Sequence, residues 1–205
     1  MKLYFAPGAC SMIVRMVLIQ AGERFEPVLV DIGTGEQRTP GFLSLNPKGK
    51  VPVLVRDDGS VLTELGTILT WLALRHADAA LLPEDAEARV RVQEMLEYCI
   101  ATLHTLGTMR IFVPAAFGAE DDAERIREEG RAILARGLLI LNDRLAPGAG
   151  HGGAPTVADF ALYWLALGAV MSGVALPAAV QEHYARMGQL DAVRKGLADE
   201  GFASA

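Results

Sequence analysis

Asn46-Pro47-Lys48-Gly49-Lys50-Val51-Pro52-Val53-Leu54-Val55 runs into the turn Asp57-Asp58-Gly59-Ser60 and then Val61-Leu62-Thr63-Glu64. The apolar run from Val51 to Val55 reads as a strand, yet it contains a proline. Pro52 has no backbone N–H, so it belongs at a strand start or on a sheet edge. Val51 is pushed into an extended conformation by the proline that follows it. An extended residue at an unpaired edge offers its N–H and C=O to a ligand through added-strand pairing. Glu64 follows one hairpin later and opens an apolar-periodic helix. A carboxylate beside free helix N–H groups receives an ammonium and a carboxylate together. The constellation suits a small zwitterionic peptide.

Working outward, Lys2 to Phe5 reads as a strand ended by the turn Ala6-Pro7-Gly8. From Ser11, the residues Val14, Val17, Leu18 and Ala21 recur at helical spacing, with Gly22 as the stop. Phe25 to Ile32 reads as a second strand, and the βαβ order favours parallel pairing with the first. A loop over Gly33 to Pro40 leads to a short helix near Gly41 to Leu45. The Val51 to Val55 and Ser60 to Leu62 strands form a hairpin about Asp58-Gly59. Leu65, Ile68, Leu69 and Leu72 predict a helix to about His76.

Asp78 to Asp85 reads as a linker, and beyond it only helical periods appear. Val92, Leu96, Cys99, Leu103 and Leu106 share one helix face. Leu134, Leu138, Leu141 and Leu145 share another, on a helix predicted to end near Pro147-Gly148. A helix at Asp159 and a last pair, around Pro177 to Met187 and Gln189 to Ala198, complete this half. The expectation is an α/β domain over residues 1–77 and an all-helical domain over residues 84–205.

The chain has 205 residues, 51% of them hydrophobic and 21% charged, which excludes disorder. A net charge of −6 argues against nucleic acid as a partner. The only cysteines, Cys10 and Cys99, have neither CxxC nor zinc spacing, so a reduced, cytoplasmic protein without a metal is expected. The apolar run at the N-terminus is too short for a signal peptide. Phe160 to Gln181 carries no charge and has the length of a membrane span. Gly168, Gly173 and Pro177 interrupt it, and Thr156-Val157-Ala158-Asp159 precedes it as a capping box with Asp in place of Glu. Two buried helices are expected there, with no membrane as partner.

The β-α-β then β-β-α order, with a proline opening the third strand, resembles a thioredoxin-like domain. Lys2-Leu3-Tyr4, Pro7-Gly8-Ala9-Cys10-Ser11, Asn46 to Pro52 and Leu62-Thr63-Glu64 resemble the N-terminal domain of bacterial beta-class glutathione transferases. Thr156 to Asp159 resembles the capping motif of that superfamily's helical domain, and Leu103-His104 resembles its beta-class active-site histidine. The resemblance implies that the Val51 backbone pairs with the cysteinyl unit of glutathione, that Pro52 is a cis proline, and that Glu64 contacts the γ-glutamyl end. Leu65 stands where the family commonly has Ser or Gly, but its backbone N–H still serves a carboxylate. No lysine stands near Gly35, and Arg38, Lys48 or Lys50 is the candidate replacement. Lys50, Val51, Pro52, Glu64 and Leu65 are thus the expected glutathione-binding residues.

Glutathione reacts as its thiolate, which needs donors near the sulfur. Cys10 and Ser11 enter the first helix, where free N–H groups and the helix dipole favour negative charge. Cys10 is either a low-pKa thiol that exchanges with glutathione or a weak S–H donor to its thiolate. His104 is expected to donate a proton to, or take one from, the sulfur or the substrate. Cys10, Ser11 and His104 are the expected catalytic residues. Cys99 is expected to be a buried structural thiol, Tyr4 a core strand residue, and His76, His151 and His183 solvated. Met109, Phe112, Val113 and Phe117, beside Arg110, either wall an apolar co-substrate pocket or pack as core.

The resemblance implies a detoxifying transferase, a cytoplasmic homodimer that conjugates glutathione to a small hydrophobic electrophile. One rival is a glutathione-dependent thiol–disulfide reductase or peroxidase acting through Cys10. The other is a non-catalytic binding or regulatory relative, motivated by Gly35, Leu65, Glu97 and Thr105, which depart from the family pattern.

Overall fold

The computed structural model describes residues 1–145 and 153–202. The expected helix stop at Pro147-Gly148 and His151 lie outside the described residues. The chain divides into two compact units, Met1–Leu82 with the segment from Leu190, and Pro83–Gln189.

In the first unit, β1 (Lys2–Phe5), β2 (Glu26–Leu29), β3 (Val53–Val55) and β4 (Val61–Thr63) form one sheet in the order β2-β1-β3-β4. β1 runs parallel to β2, as the intervening helix α1 (Ser11–Gln20) requires, and antiparallel to β3. The hairpin partner β4 closes the other side of β3, with Val53 opposite Thr63. β3 is therefore an interior strand, and the edge reading of Pro52 is corrected. Pro52 stands just ahead of β3, whose first ladder residue is Val53, so its missing N–H costs the sheet nothing. β2 is shorter than the expected Phe25 to Ile32, although the Val30 N–H still reaches the Phe5 carbonyl at 2.8 Å.

Helices α2 (Pro40–Leu45) and α3 (Leu65–Arg75) complete the thioredoxin-like unit. Thr39 caps α2 by accepting from the Phe42 N–H, and Pro40 occupies the first helical position. α1 is buried from Ser11 to Leu18 rather than along one stripe. α3 packs on it, and so does α9 (Asp191–Asp199) from the end of the chain. The sequence reading assigned that last helix to the helical half; here it belongs with α1, on which Gly196 sits so close to Met16 that a Cβ would come within 2.7 Å.

The second unit is helical: α4 (Ala86–Glu97), a π-helical segment Tyr98–Thr108, α5 (Met109–Phe112), α6 (Ala123–Leu145), α7 (Val157–Met171) and α8 (Ala178–Met187). The π segment wraps more residues per turn than an α-helix. The Met109 N–H accordingly reaches back five residues to the His104 carbonyl. This explains one failed expectation. Leu96, Cys99 and Leu103 are buried, but the wider turn then brings Gly107 and Thr108 inward and leaves Leu106 42% exposed. The π segment lies against α6 at glycines: a Cβ on Gly130 would fall 2.7 Å from the Gly107 carbonyl, and one on Gly137 would collide with Leu103.

α7 is buried nearly throughout, and no helix among the described residues is long and apolar enough to cross a membrane. The Thr156 N–H donates to Asp159 Oδ2 at 2.8 Å, which completes the capping box. His183, expected to be solvated, is instead buried on α8 with its Nε2 2.9 Å from Asp159 Oδ1. Burial pushes the Asp159 carboxyl up, but the hydrogen bonds with His183 and Thr156 outweigh it and hold the group below its ordinary value. His76, also expected to be solvated, is half-buried with its Nε2 2.9 Å from Glu23.

Candidate functional site

The site in the first unit is built by two loops and one helix start. The first loop is the turn from β1 to α1. The Ala9 N–H bonds the Ala6 carbonyl at 3.1 Å, with Pro7 and Gly8 between them. Gly8 has φ +74°, so Pro7-Gly8 takes the central places of a turn that needs a left-handed second residue. Ser11 is fully buried, and its hydroxyl is committed to Ala6: it accepts from the Ala6 N–H at 3.2 Å and donates to the Ala6 carbonyl at 3.3 Å. The Ser11 hydroxyl, expected to be catalytic, thus fixes the turn in this structure.

Cys10 caps α1, and its thiol lies 3.9 Å from the Val51 carbonyl oxygen, within reach of a weak S–H donation. Burial pushes the Cys10 thiol up to about 12. The Cys10 and Ser11 N–H groups and the charge of Lys50 pull it down, and Glu64 adds to the rise. The helix N-terminus is present as expected, but desolvation wins over it. Of the two roles considered for Cys10, the 3.9 Å approach to the Val51 carbonyl has the geometry of the donor, and burial works against the thiolate.

The second loop is Asn46 to Pro52. Asn46 is buried and organises it, a role that sequence reasoning missed. Its Nδ2 donates to the Lys50 carbonyl at 2.7 Å, and its Oδ1 accepts from the Lys48 N–H at 3.2 Å. Its own carbonyl takes the Gly49 N–H at 2.9 Å. Asn before Pro is the sequence signal that marked this turn. The Val51–Pro52 peptide is cis, as the resemblance implied. The Val51 side chain packs on Val30, Phe42 and Val53, while its N–H has no partner among the described residues.

Glu64 ends the hairpin in a left-handed conformation, φ +70°, which a residue with a Cβ adopts at a cost of about 1–3 kcal/mol. Its side chain is 67% exposed, and Lys48 Nζ reaches it at 2.5 Å and the Thr63 hydroxyl at 2.7 Å. Lys48 is therefore the lysine that stands beside the acidic residue. The first intrahelical bond of α3 runs from the Ile68 N–H to the Glu64 carbonyl. The N–H groups of Leu65, Gly66 and Thr67 come before it and face an anion's natural position. Leu65 itself is buried, so its side chain belongs to the core and only its backbone serves the site.

The structure thus brings Cys10, Lys50, Val51, Pro52, Glu64 and Leu65 into one unit with Lys48 and Asn46. His104 stands in the other unit, on the π segment, half-buried, its ring edge-on to Trp164 at a centroid separation of 5.0 Å. Cys99 is buried, which pushes its thiol up to about 12. Phe112, Val113 and Phe117 are exposed, so they are not core, and the Arg110 guanidinium lies 4.3 Å over the Phe117 ring. Tyr4 packs edge-on to Phe42.

Such an arrangement offers a backbone N–H at Val51 with no partner among the described residues, a carboxylate, two lysines, the first N–H groups of α3 and a thiol. Residues 8–75 match the family model described as glutathione S-transferase, N-terminal domain. The chain is 35% identical over 147 residues to glutathione S-transferase GstA of Escherichia coli O157:H7, covering 71% of this chain and 70% of that one. It is 34% identical over 160 residues to a maleylacetoacetate isomerase of Rhizobium meliloti, covering 76% and 74%. A glutathione transferase homologue from Sulfitobacter, solved with bound glutathione, superposes with a TM-score of 0.88 at 26% identity over 98% of both chains.

Proposed function

This chain belongs to the glutathione S-transferase family, and we propose that it adds the glutathione thiolate to small hydrophobic electrophiles. The observation that carries the reading is the Val51 N–H, without a partner among the described residues, on the residue whose carbonyl lies 3.9 Å from the Cys10 thiol. A cysteinyl unit paired along Val51 puts its sulfur next to Cys10. The S–H then turns from the carbonyl to the thiolate, where a preorganised donor stabilises the anion. The γ-glutamyl ammonium meets Glu64, and the carboxylate meets the N–H groups of Leu65 and Gly66 with Lys48 alongside. His104 is proposed as the proton donor or acceptor. The same reading carries a cytoplasmic homodimer with a detoxifying role.

Titration calorimetry with glutathione, followed by conjugation kinetics with a chlorodinitrobenzene, tests the proposal. No binding at millimolar glutathione would overturn it.

The relative named maleylacetoacetate isomerase supports a second reading. Here the thiolate adds to a conjugated double bond, the C–C bond rotates, and the C–S bond breaks to return the thiolate. Glutathione consumption separates the two: conjugation uses one molecule per turnover, isomerisation none. The exchange rival fares worse. Burial, which pushes the Cys10 thiol up, disfavours the thiolate that exchange requires.

A further inference from the structure

At the far end of the chain, Glu200 is the acidic member of a buried ion pair. Its Oε1 accepts from Arg15 Nε at 2.8 Å, and its side chain is 0% exposed. Its Oε2 accepts from the Gly8 N–H at 2.9 Å. One carboxylate therefore ties the middle of α1 to the turn that carries Cys10. Arg15 is buried too, with its guanidinium 4.2 Å over the ring of Phe5 at the end of β1. Phe202 completes the contact: its ring edge lies 2.9 Å from where a Gly8 Cβ would stand. The left-handed glycine thus presents its N–H to a carboxylate and its bare face to an aromatic ring. Burying two charges to hold one turn is a costly way to gain stability alone. It is an effective way to fix a turn whose position matters.

We propose that Arg15, Glu200 and Phe202 are positioning residues that set the Gly8–Cys10 turn, and with it the place of the Cys10 thiol beside the Val51 carbonyl. The value of that place for catalysis rests on the glutathione reading above; the clamp itself does not. Neither Glu200 nor Phe202 need touch a substrate. Both act through the turn.

The test reads Cys10 directly. The full chain and its variants are labelled with a maleimide at 25 °C, and modification of Cys10 and Cys99 is followed separately by peptide mass spectrometry. Glu200→Ala is expected to speed Cys10 labelling about tenfold or more, as local opening of the turn does, with Cys99 unchanged. Glu200→Gln keeps an acceptor for the Gly8 N–H and is expected to restore most of the protection. Phe202→Ala is expected to raise labelling by a smaller factor, and it serves where Glu200→Ala fails to fold. Leu138→Ala opens a cavity in the helical unit, so it lowers Tm but is expected to leave Cys10 protected. Unchanged Cys10 labelling in both folded Glu200→Ala and Phe202→Ala, or equal acceleration in Leu138→Ala, overturns the proposal. Should the protein fail to bind glutathione, the labelling pattern still decides the clamp.

Discussion

The thiol of Cys10 rests 3.9 Å from the carbonyl oxygen of Val51, the residue whose own N–H has no partner among the described residues. On the proposed reading, an extended ligand pairs along the Val51 backbone and its side chain ends beside the thiol. Burial pushes the thiol up, which favours its protonated form.

Cys10→Ala should lower conjugation without abolishing it. Removing one donor to the thiolate costs about 1–2 kcal/mol, or roughly tenfold in kcat/KM. Glutathione binding should change little. A complete loss of turnover would restore the exchange mechanism.

Glu64 combines a proposed ligand role with backbone strain at φ +70°. Glu64→Gly removes both the carboxylate and the strain. Thermal melts should show Tm held or raised, because glycine adopts this conformation freely. Calorimetry should show glutathione affinity reduced about tenfold or more, the scale of a lost charge-assisted hydrogen bond. Loss of stability with affinity intact would contradict this account.

Asn46→Ala should release the Lys50 carbonyl and the Lys48 N–H that it holds. With a buried amide gone and its carbonyl partner left unpaired, the cost is about 1–3 kcal/mol by urea denaturation. KM for glutathione should rise more than kcat falls, since Val51 is the residue set loose.

Asp159 is held below its ordinary value in the fold, so its ionisation favours folding. That contribution is fully present above the unfolded pKa, about 3.9, and is lost as pH falls through the lower folded value. Asp159→Asn should destabilise the protein at pH 7 by about 3 kcal/mol, as loss of a buried partner does. The gap between variant and wild type should narrow as pH falls below 4, measured by melts across the acid range.

What the sequence made legible follows from how local each constraint is. Pro52 restricts itself and Val51, so the start of β3 was readable from neighbours alone, whereas its interior place in the sheet was not. The helix between β1 and β2 dictated their parallel pairing. Thr156 and Asp159 declared their capping box within four residues. Other features had no local signal. Arg15 and Glu200 are 185 positions apart, and Asp159 and His183 are 24 apart on different helices. Leu106 was misplaced because a π turn leaves no mark in a pattern counted at α-helical spacing. The two roles left open for Cys10 could not be separated from sequence, because a helix terminus can be seen there, whereas the depth of burial around it cannot.

The glycines of α6 carry a consequence for how mutational scans of this protein will look. Gly130 and Gly137 meet the π segment where no side-chain carbon fits. Substitutions there will score as damaging as changes at Val51 or Glu64. A map of intolerant positions will therefore light up two places with equal intensity, one defined by what a ligand needs and one by how near two helices can pass. Only a titration with ligand, not the tolerance itself, will tell the two apart.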